Sequence, residues 1–360
     1  MDGPTYLVGS LIGLAFVGGA VIGSFLNVVI HRLPLGESVV YPGSQCPACG
    51  KPIRARDNVP ILGYLWLRGR CRDCRAPIPI RYLGVEGMTA LLFAALMWKT
   101  GPTGDVLWEM AFGSSLIALF VIDARDRLLP NKITYPLLLF SLLATTWRSG
   151  WGDPIQYGID LTVFLTRAEP QVPPDWTAAC VGGGLLALAT PSLLFLDRLD
   201  LLLFAKYFEW GEEGSEEEAR VEWGWLLTVL GAGALAGIGW MIGVYGWGAS
   251  DPLAWNGAYR GLVMAGGGAI IASLPLWWIR AIYFYLRGIE GMGLGDIKLM
   301  AGLGAFLGWQ GAWAVLLLGS LAGTAYGILF LRRQPEGMRT PLAFGSFLSA
   351  GALLFLLQIS

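Results

Sequence analysis

Two groups of residues in this chain have the types and spacing to do chemistry. The first is a set of four cysteines, "CPAC" (46–49) and "CRDC" (71–74), with 21 residues between the pairs. Each Cys-x2-Cys can present two sulfurs from one tight turn, and four thiolates complete a closed tetrahedral shell around Zn²⁺ at zinc-ribbon spacing. Cys46, Cys49, Cys71 and Cys74 are therefore candidate ligands of a structural zinc, with a redox role for either pair as the alternative. The fifth cysteine, Cys180, stands alone in an apolar run and reads as a small packing residue.

The second group is a pair of carboxylates. Asp296 lies in "GMGLGDIKLM" (291–300), and Asp123 follows an apolar run directly in "LFVIDARDRLLPNKIT" (119–134). An ionisable side chain at membrane depth is costly unless paired or wetted, so each is a functional candidate. The two are expected to close helices at the same membrane face and to meet in the fold, although 172 residues lie between them. Two carboxylates in one partly apolar site do not both ionise easily. One keeps a proton while the other acts as a base toward water, which is the chemistry of aspartyl proteolysis. Gly293 and Gly295, lacking Cβ, permit a turn and the close approach of a substrate backbone. Asp126, between Arg125 and Arg127, reads as an ion-paired surface residue. Lys298 is expected to snorkel toward the headgroups. The single histidine, His31, excludes His-rich metalloprotease sites and argues against a Ser-His triad.

The elements that must position these groups are membrane helices. Of the 360 residues, 55% are hydrophobic and 14% charged, and the mean hydropathy is +0.57. Apolar runs of about 17–25 residues, long enough to span a bilayer, recur along the chain. They fall at 5–30, 83–99, 106–122, 133–147, 177–196, 224–248, 261–287, a stretch over 299–331 split near Gly308 to Gly311, and 341–359. The N-terminal run lacks a basic flank and a small-residue cleavage pattern, so it reads as an uncleaved helix. With the loop 31–82 placed in the cytoplasm and each helix crossing once, twenty Lys/Arg fall in cytoplasmic segments and four outside. This asymmetry places Asp296 at the cytoplasmic face and the cysteines in a reducing compartment, which disfavours disulfides.

The expected fold is an all-α polytopic membrane protein of about eight core helices plus two inserted ones, with a small zinc-ribbon-like cytoplasmic loop. The expected organisation is a first helix over 1–30, the tetracysteine loop over 31–82, helices bearing the first aspartate over 83–149, an insertion with an acidic run over 150–258, and helices bearing the Gly-x-Gly-Asp motif over 259–360. Small-residue clusters at 181–189 and 264–272 read as close helix-packing sites. The acidic run at 210–223 reads as a solvated loop or helix end.

Taken together, "GSFLNVVIHRLP" (23–34), the two Cys pairs, "RDNVPILGYLWLRGRC" (56–71), "RYLGVEGMTALL" (81–92), "IDARDRLLPNKITYP" (122–136) and "GMGLGDIKLMAGLGAFLGW" (291–309) resemble the type IV prepilin peptidases. Those are leader peptidase and N-methyltransferases of type IV pilus and type II secretion systems. The resemblance implies a Gly-x-Gly-Asp aspartic protease of the bacterial inner membrane with Asp123 and Asp296 catalytic. It implies prepilin or pseudopilin substrates cleaved after a basic leader at the cytoplasmic face, and no nucleic-acid partner. It further implies methylation of the new N-terminus by S-adenosylmethionine, associated with the cysteine-bearing loop. Gly69, Arg70 and Glu86 carry over as cofactor-binding candidates. Loss of the methyltransferase is the alternative, and a scaffold or transporter the remote one. Two departures stand out. About a hundred residues are inserted between the catalytic motifs, with an even number of helices that preserves the sidedness, and Asn131 stands where many relatives have Asp, with no expected loss of activity.

Overall fold

The computed structural model describes residues 3–151, 252–287, 291–330 and 342–358. Expectations for the runs at 177–196 and 224–248, for Cys180 and for the acidic stretch lie outside the described residues. Within them the chain is helical, with two isolated β-bridges and no strand. The helices are α1 (Gly3–Arg32), α2 (Leu62–Trp66), α3 (Arg81–Thr100), α4 (Gly104–Asp126), α5 (Asn131–Trp151), α6 (Pro252–Arg287), α7 (Leu294–Leu329) and α8 (Phe344–Gln358). Among the described residues four segments are long and apolar enough to cross a membrane: Val8–Arg32, Gly104–Asp126, Met264–Arg287 and Leu294–Leu329. α7 is broken at Gly308, whose φ of 76° and ψ of 164° lie outside the helical region, where the sequence places the split. An L side chain would resist that φ, so the break falls on glycine.

Two compact units divide the chain, one formed by Met1–Leu137 and Ala314–Ser360, the other by Leu138–Trp313. In the first, α1 lies against α3 at backbone distance. A Cβ on Gly19 would sit 2.6 Å from the Thr89 carbonyl oxygen, and one on Gly23 would sit 2.7 Å from Glu86 Cα. Small residues give helices in lipid this close approach, where packing replaces the hydrophobic drive available in water. α8 lies against α3 and α4, and Lys99 Nζ donates to the Leu356 carbonyl at 2.7 Å, satisfying an end carbonyl of α8.

In the second unit, Gly268 of the 264–272 cluster meets Gly304 of α7. A Cβ on either would fall on the other's carbonyl oxygen, so the cluster does pack helices. Thr145 Oγ1 donates to the Ala305 carbonyl at 2.8 Å, Trp313 Nε1 to the Ile271 carbonyl at 3.3 Å, and the Arg148 guanidinium stands 5.4 Å from the Phe306 ring centroid. Nearer the start of α7, Ile297, Leu299 and Met300 are all 0% exposed.

Candidate active site and metal centre

The tetracysteine loop consists of two copies of one turn. In the first, Cys46 N–H donates to the Lys51 carbonyl at 2.9 Å and Gly50 N–H to the Cys46 carbonyl at 2.8 Å; in the second, Cys71 N–H donates to the Ala76 carbonyl at 2.9 Å and Arg75 N–H to the Cys71 carbonyl at 3.0 Å. Each turn is flanked by a bridge, Gln45 with Pro52 and Arg70 with Pro77. Equivalent positions take up the left-handed conformation, Gly50 at φ 68° and Arg75 at φ 60°. The four sulfurs lie within 4.8 Å of one another, and Cys46 Sγ is 3.8 Å from Cys74 Sγ. Zn–S bonds of about 2.3 Å in a tetrahedron demand sulfur separations of about 3.8 Å, so the donor set fits zinc. The N–H groups of Cys74 and Asp73 point at Cys71 and hold its thiol down to about 7, favouring the thiolate a metal requires.

A second tie joins the loop's interior to its second turn. Arg72 Nε donates to Asp57 Oδ2 at 2.8 Å, its NH2 nitrogen pairs with Oδ1, and the Asp57 side chain is 7% exposed. These hydrogen bonds hold the Asp57 carboxyl below the usual carboxylate range. The Asp73 pairs with Lys51 and Arg54, at 3.6 and 3.7 Å, are exposed on the basic side and add little.

A cavity of about 890 Å³ opens between the end of α1, both cysteine turns, residues 57–64 and the start of α3. Among the residues around it are Asn27, His31, Asp57, Tyr64, Tyr82 and Glu86. Glu86 is 8% exposed, and its Oε2 accepts the Ile61 N–H at 2.7 Å. Gly69 and Arg70 do not line this cavity. Gly69, at φ 66°, ends α2 by donating to the Tyr64 carbonyl at 2.9 Å, and a Cβ there would meet the Tyr64 hydroxyl.

Asp123 sits in the last turn of α4 and is 5% exposed. Arg127, left-handed at φ 52°, caps that helix by donating to the Asp123 carbonyl at 2.8 Å, which ends it just past the carboxylate. Asp123 Oδ2 accepts two donors from the start of α8, the Ser346 N–H at 2.6 Å and the Ser346 hydroxyl at 2.9 Å. An N–H of a helix's first turn, which also reaches the Ala343 carbonyl at 3.3 Å, is thereby bound more closely by a carboxylate from another helix. Asp126 is exposed and ion-paired with Arg125, as expected of it.

Asp296 is half-buried in the first turn of α7, two residues past its start at Leu294. It opens a helix where the sequence reading has it closing one, because Gly291, Met292 and Gly293 interrupt the chain before it and a carboxylate is favoured at a helix N-terminus. Gly293 leaves space beside the Asp296 carboxylate: a Cβ there would stand 3.5 Å from Oδ2. Arg280, 4% exposed within the apolar α6, donates from Nε to the Met292 carbonyl at 3.0 Å, so a buried guanidinium ties down the turn that leads into Asp296. Lys298 corrects its expectation: at 6% exposure it is buried in protein, with its chain neighbours Ile297, Leu299 and Met300 fully covered, so it does not reach out along a lipid-facing surface.

Sequence reasoning missed Ser346, Arg280 and the tie to Ile61. Arg280 carried a signal, a charge inside an apolar run. Ser346 carried none, being one more serine among small residues at a helix start.

These features define a helical membrane protein with a zinc-type cysteine module and two carboxylates at helix ends, Asp123 buried and Asp296 half-buried. Two family descriptions match the chain, the Bacterial Peptidase A24 N-terminal domain over residues 17–100 and the Type IV leader peptidase family over residues 219–328. The prepilin leader peptidase/N-methyltransferase of Burkholderia pseudomallei (strain 1026b) is 29% identical over 95% of this chain and 84% of its own length. That of Aeromonas hydrophila is 29% identical over 96% of this chain and 89% of its length, and that of Pseudomonas aeruginosa 28% over 94% and 87%. No solved structure matches. The chain belongs to the type IV leader peptidase family.

Proposed function

We propose that this protein is a membrane aspartic endopeptidase that removes the basic leader of type IV prepilins or pseudopilins at the cytoplasmic face and methylates the new N-terminus. The observation that carries the reading is the buried Asp123 carboxylate, fixed at the end of an apolar helix by Ser346, in a chain whose other candidate, Asp296, follows a Gly-x-Gly turn. In the proposed dyad one carboxylate takes a proton from water as the hydroxide attacks the scissile carbonyl carbon. The other gives its proton to the carbonyl oxygen, and the leaving amine takes a proton as the carbon–nitrogen bond breaks. Gly293 and Gly295 leave room for the substrate backbone.

The tetracysteine loop is proposed as a zinc-stapled module, since a segment of that length has too little apolar core to hold itself. The metal's part is structural: four thiolates leave no open coordination position. Methyl transfer is assigned to the cavity beside it; of the three candidates carried over from the resemblance, Glu86 stands at its wall, and Gly69 and Arg70 lie outside its lining. S-Adenosylmethionine supplies an electrophilic methyl group, and a cavity lined by Asn27, Tyr64 and Tyr82 offers amide and aromatic groups to a cationic donor. The 20-to-4 distribution of basic residues supports a cytoplasmic site. Cleavage without methylation is not favoured, because the relatives named above carry both activities in their names.

The test is processing of a co-expressed prepilin. Asp123→Asn and Asp296→Asn should each abolish cleavage while the protein still inserts, and mass spectrometry of the mature N-terminus should show one methyl group in the wild type. Normal processing by either variant would sink the dyad.

A further inference from the structure

Residues Pro60, Ile61 and Leu62 form a turn that proteins rarely tolerate. Leu62 N–H donates to the Pro60 carbonyl at 2.6 Å, two residues back, and Ile61 between them has φ 63° and ψ −56°. This is the γ-turn of the strained hand. A β-branched side chain at positive φ is an outlier, and such outliers persist only where their surroundings hold them.

What holds it here is Glu86. The turn points the Ile61 N–H toward α3, where Glu86 Oε2 receives it at 2.7 Å, and Ser24 of α1 hydrogen-bonds the same carboxyl. The adjoining chain is fixed as well. Gly63 N–H donates to the Val59 carbonyl at 2.7 Å, and Gly63 packs on the Asp57 carbonyl too closely for any Cβ. Asp57 is in turn clasped by Arg72 beside the second cysteine turn. Asn58, Val59, Pro60, Gly63 and Tyr64 all line the cavity, so the shape of this segment is the shape of one wall.

We infer that Glu86 is a positioning residue for methyl transfer: its buried carboxylate holds the Pro60–Leu62 turn in its high-energy form and so sets the cavity wall, without itself contacting the methyl donor. The inference rests on the proposed methyl-transfer reading. It separates two roles that a charged residue in a cavity can have. A hydrogen-bond acceptor for Ile61 can be replaced by a neutral amide, whereas a counter-charge for a cationic donor cannot.

The experiment uses the full-length protein in detergent micelles, a synthetic prepilin and S-adenosylmethionine, with cleavage and methylation read in the same sample. Glu86→Gln, whose amide oxygen can accept the same N–H, should keep methylation within about threefold of wild type. Glu86→Leu should lower methylation kcat/KM by about tenfold or more, with cleavage within about twofold. Adding Ile61→Gly to Glu86→Leu should recover at least about threefold, because glycine adopts positive φ without strain. Hydrogen–deuterium exchange over 58–64 should quicken in Glu86→Leu and not in Glu86→Gln.

Equal loss in Glu86→Gln and Glu86→Leu, with no recovery from Ile61→Gly, overturns the inference in favour of direct contact with the donor. Unchanged exchange in Glu86→Leu, or loss of cleavage together with methylation, also overturns it. Cleavage without methylation in the wild type removes the methyl-transfer reading itself, a result distinguishable because no variant is involved.

Discussion

Gly304→Ala tests the link between helix packing and the second carboxylate. A Cβ on Gly304 would lie 2.7 Å from Ala272 Cβ and 2.7 Å from the Gly268 carbonyl carbon, and closer still to the Gly268 oxygen, whereas ordinary contact begins at 3.4 Å. The obstacle is helix backbone, which no rotamer change can remove, so α6 and α7 must part by about 1 Å, at a cost of about 1–3 kcal/mol for overpacking. Asp296 lies eight residues earlier on the same helical segment, about 12 Å away at 1.5 Å per residue and before the break at Gly308. A displacement of about 1 Å at a reacting group costs about 100-fold, so kcat/KM for prepilin cleavage should fall by about 10- to 100-fold. The assay is cleavage of a synthetic prepilin by purified protein, followed by mass spectrometry, with zinc content as the measure of intact folding. Gly267→Ala is the control: it lies in the same glycine cluster, but a Cβ there meets nothing within 4 Å, and alanine is the better helix former. Wild-type cleavage by Gly304→Ala, or equal loss in the two variants, would refute the reasoning.

Arg280→Met keeps an apolar side chain of similar length but gives up the bond to the Met292 carbonyl, and cleavage should fall about tenfold while zinc content stays the same; unchanged cleavage would show that the turn stands without it. Ser346→Ala removes one of two donors to Asp123, and kcat should drop about three- to tenfold with KM unmoved and with recovery in Ser346→Thr. Because Asp57 is held below its ordinary value, the Arg72 clasp stabilises the loop above the unfolded pKa, about 4, and that stability is lost as pH falls through the folded value. Asp57→Asn should therefore open the loop faster than wild type in hydrogen exchange at neutral pH, with the gap closing below about pH 4; a gap that widens on acidification contradicts the pairing. Cys71→Ser should cut zinc content to near zero and unfold the 46–74 loop to proteolysis; full zinc occupancy in that variant would exclude a four-cysteine centre.

Much of the architecture was legible because a bilayer imposes a length and a polarity on whatever crosses it. The runs at 5–30, 83–99, 106–122, 133–147 and 261–287 became α1, α3, α4, α5 and α6, and the break in α7 fell at Gly308, where the sequence places it. The cysteine module was equally legible, since Cys-x2-Cys dictates a tight turn whatever surrounds it, and its four sulfurs do converge. Lys298 was misread because sequence position locates a residue along a helix axis but not around it, and Lys298 falls on a covered part of α7.

What the sequence by itself determined is therefore local and periodic: span lengths, the cysteine turns, and two aspartates at helix ends, one of them, Asp296, beside glycines. What only the tertiary structure decided is who touches those groups. Ser346 reaches Asp123 across 223 positions, Glu86 reaches Ile61 across 25, and Arg280 holds the Met292 carbonyl across 12. Each of these bonds joins different elements, and their partners are set by helix packing at glycine contacts, for which hydropathy gives no register. The same physics hid the strain at Ile61, because a β-branched residue at positive φ contradicts its own local preference and persists only through a carboxylate supplied by another helix.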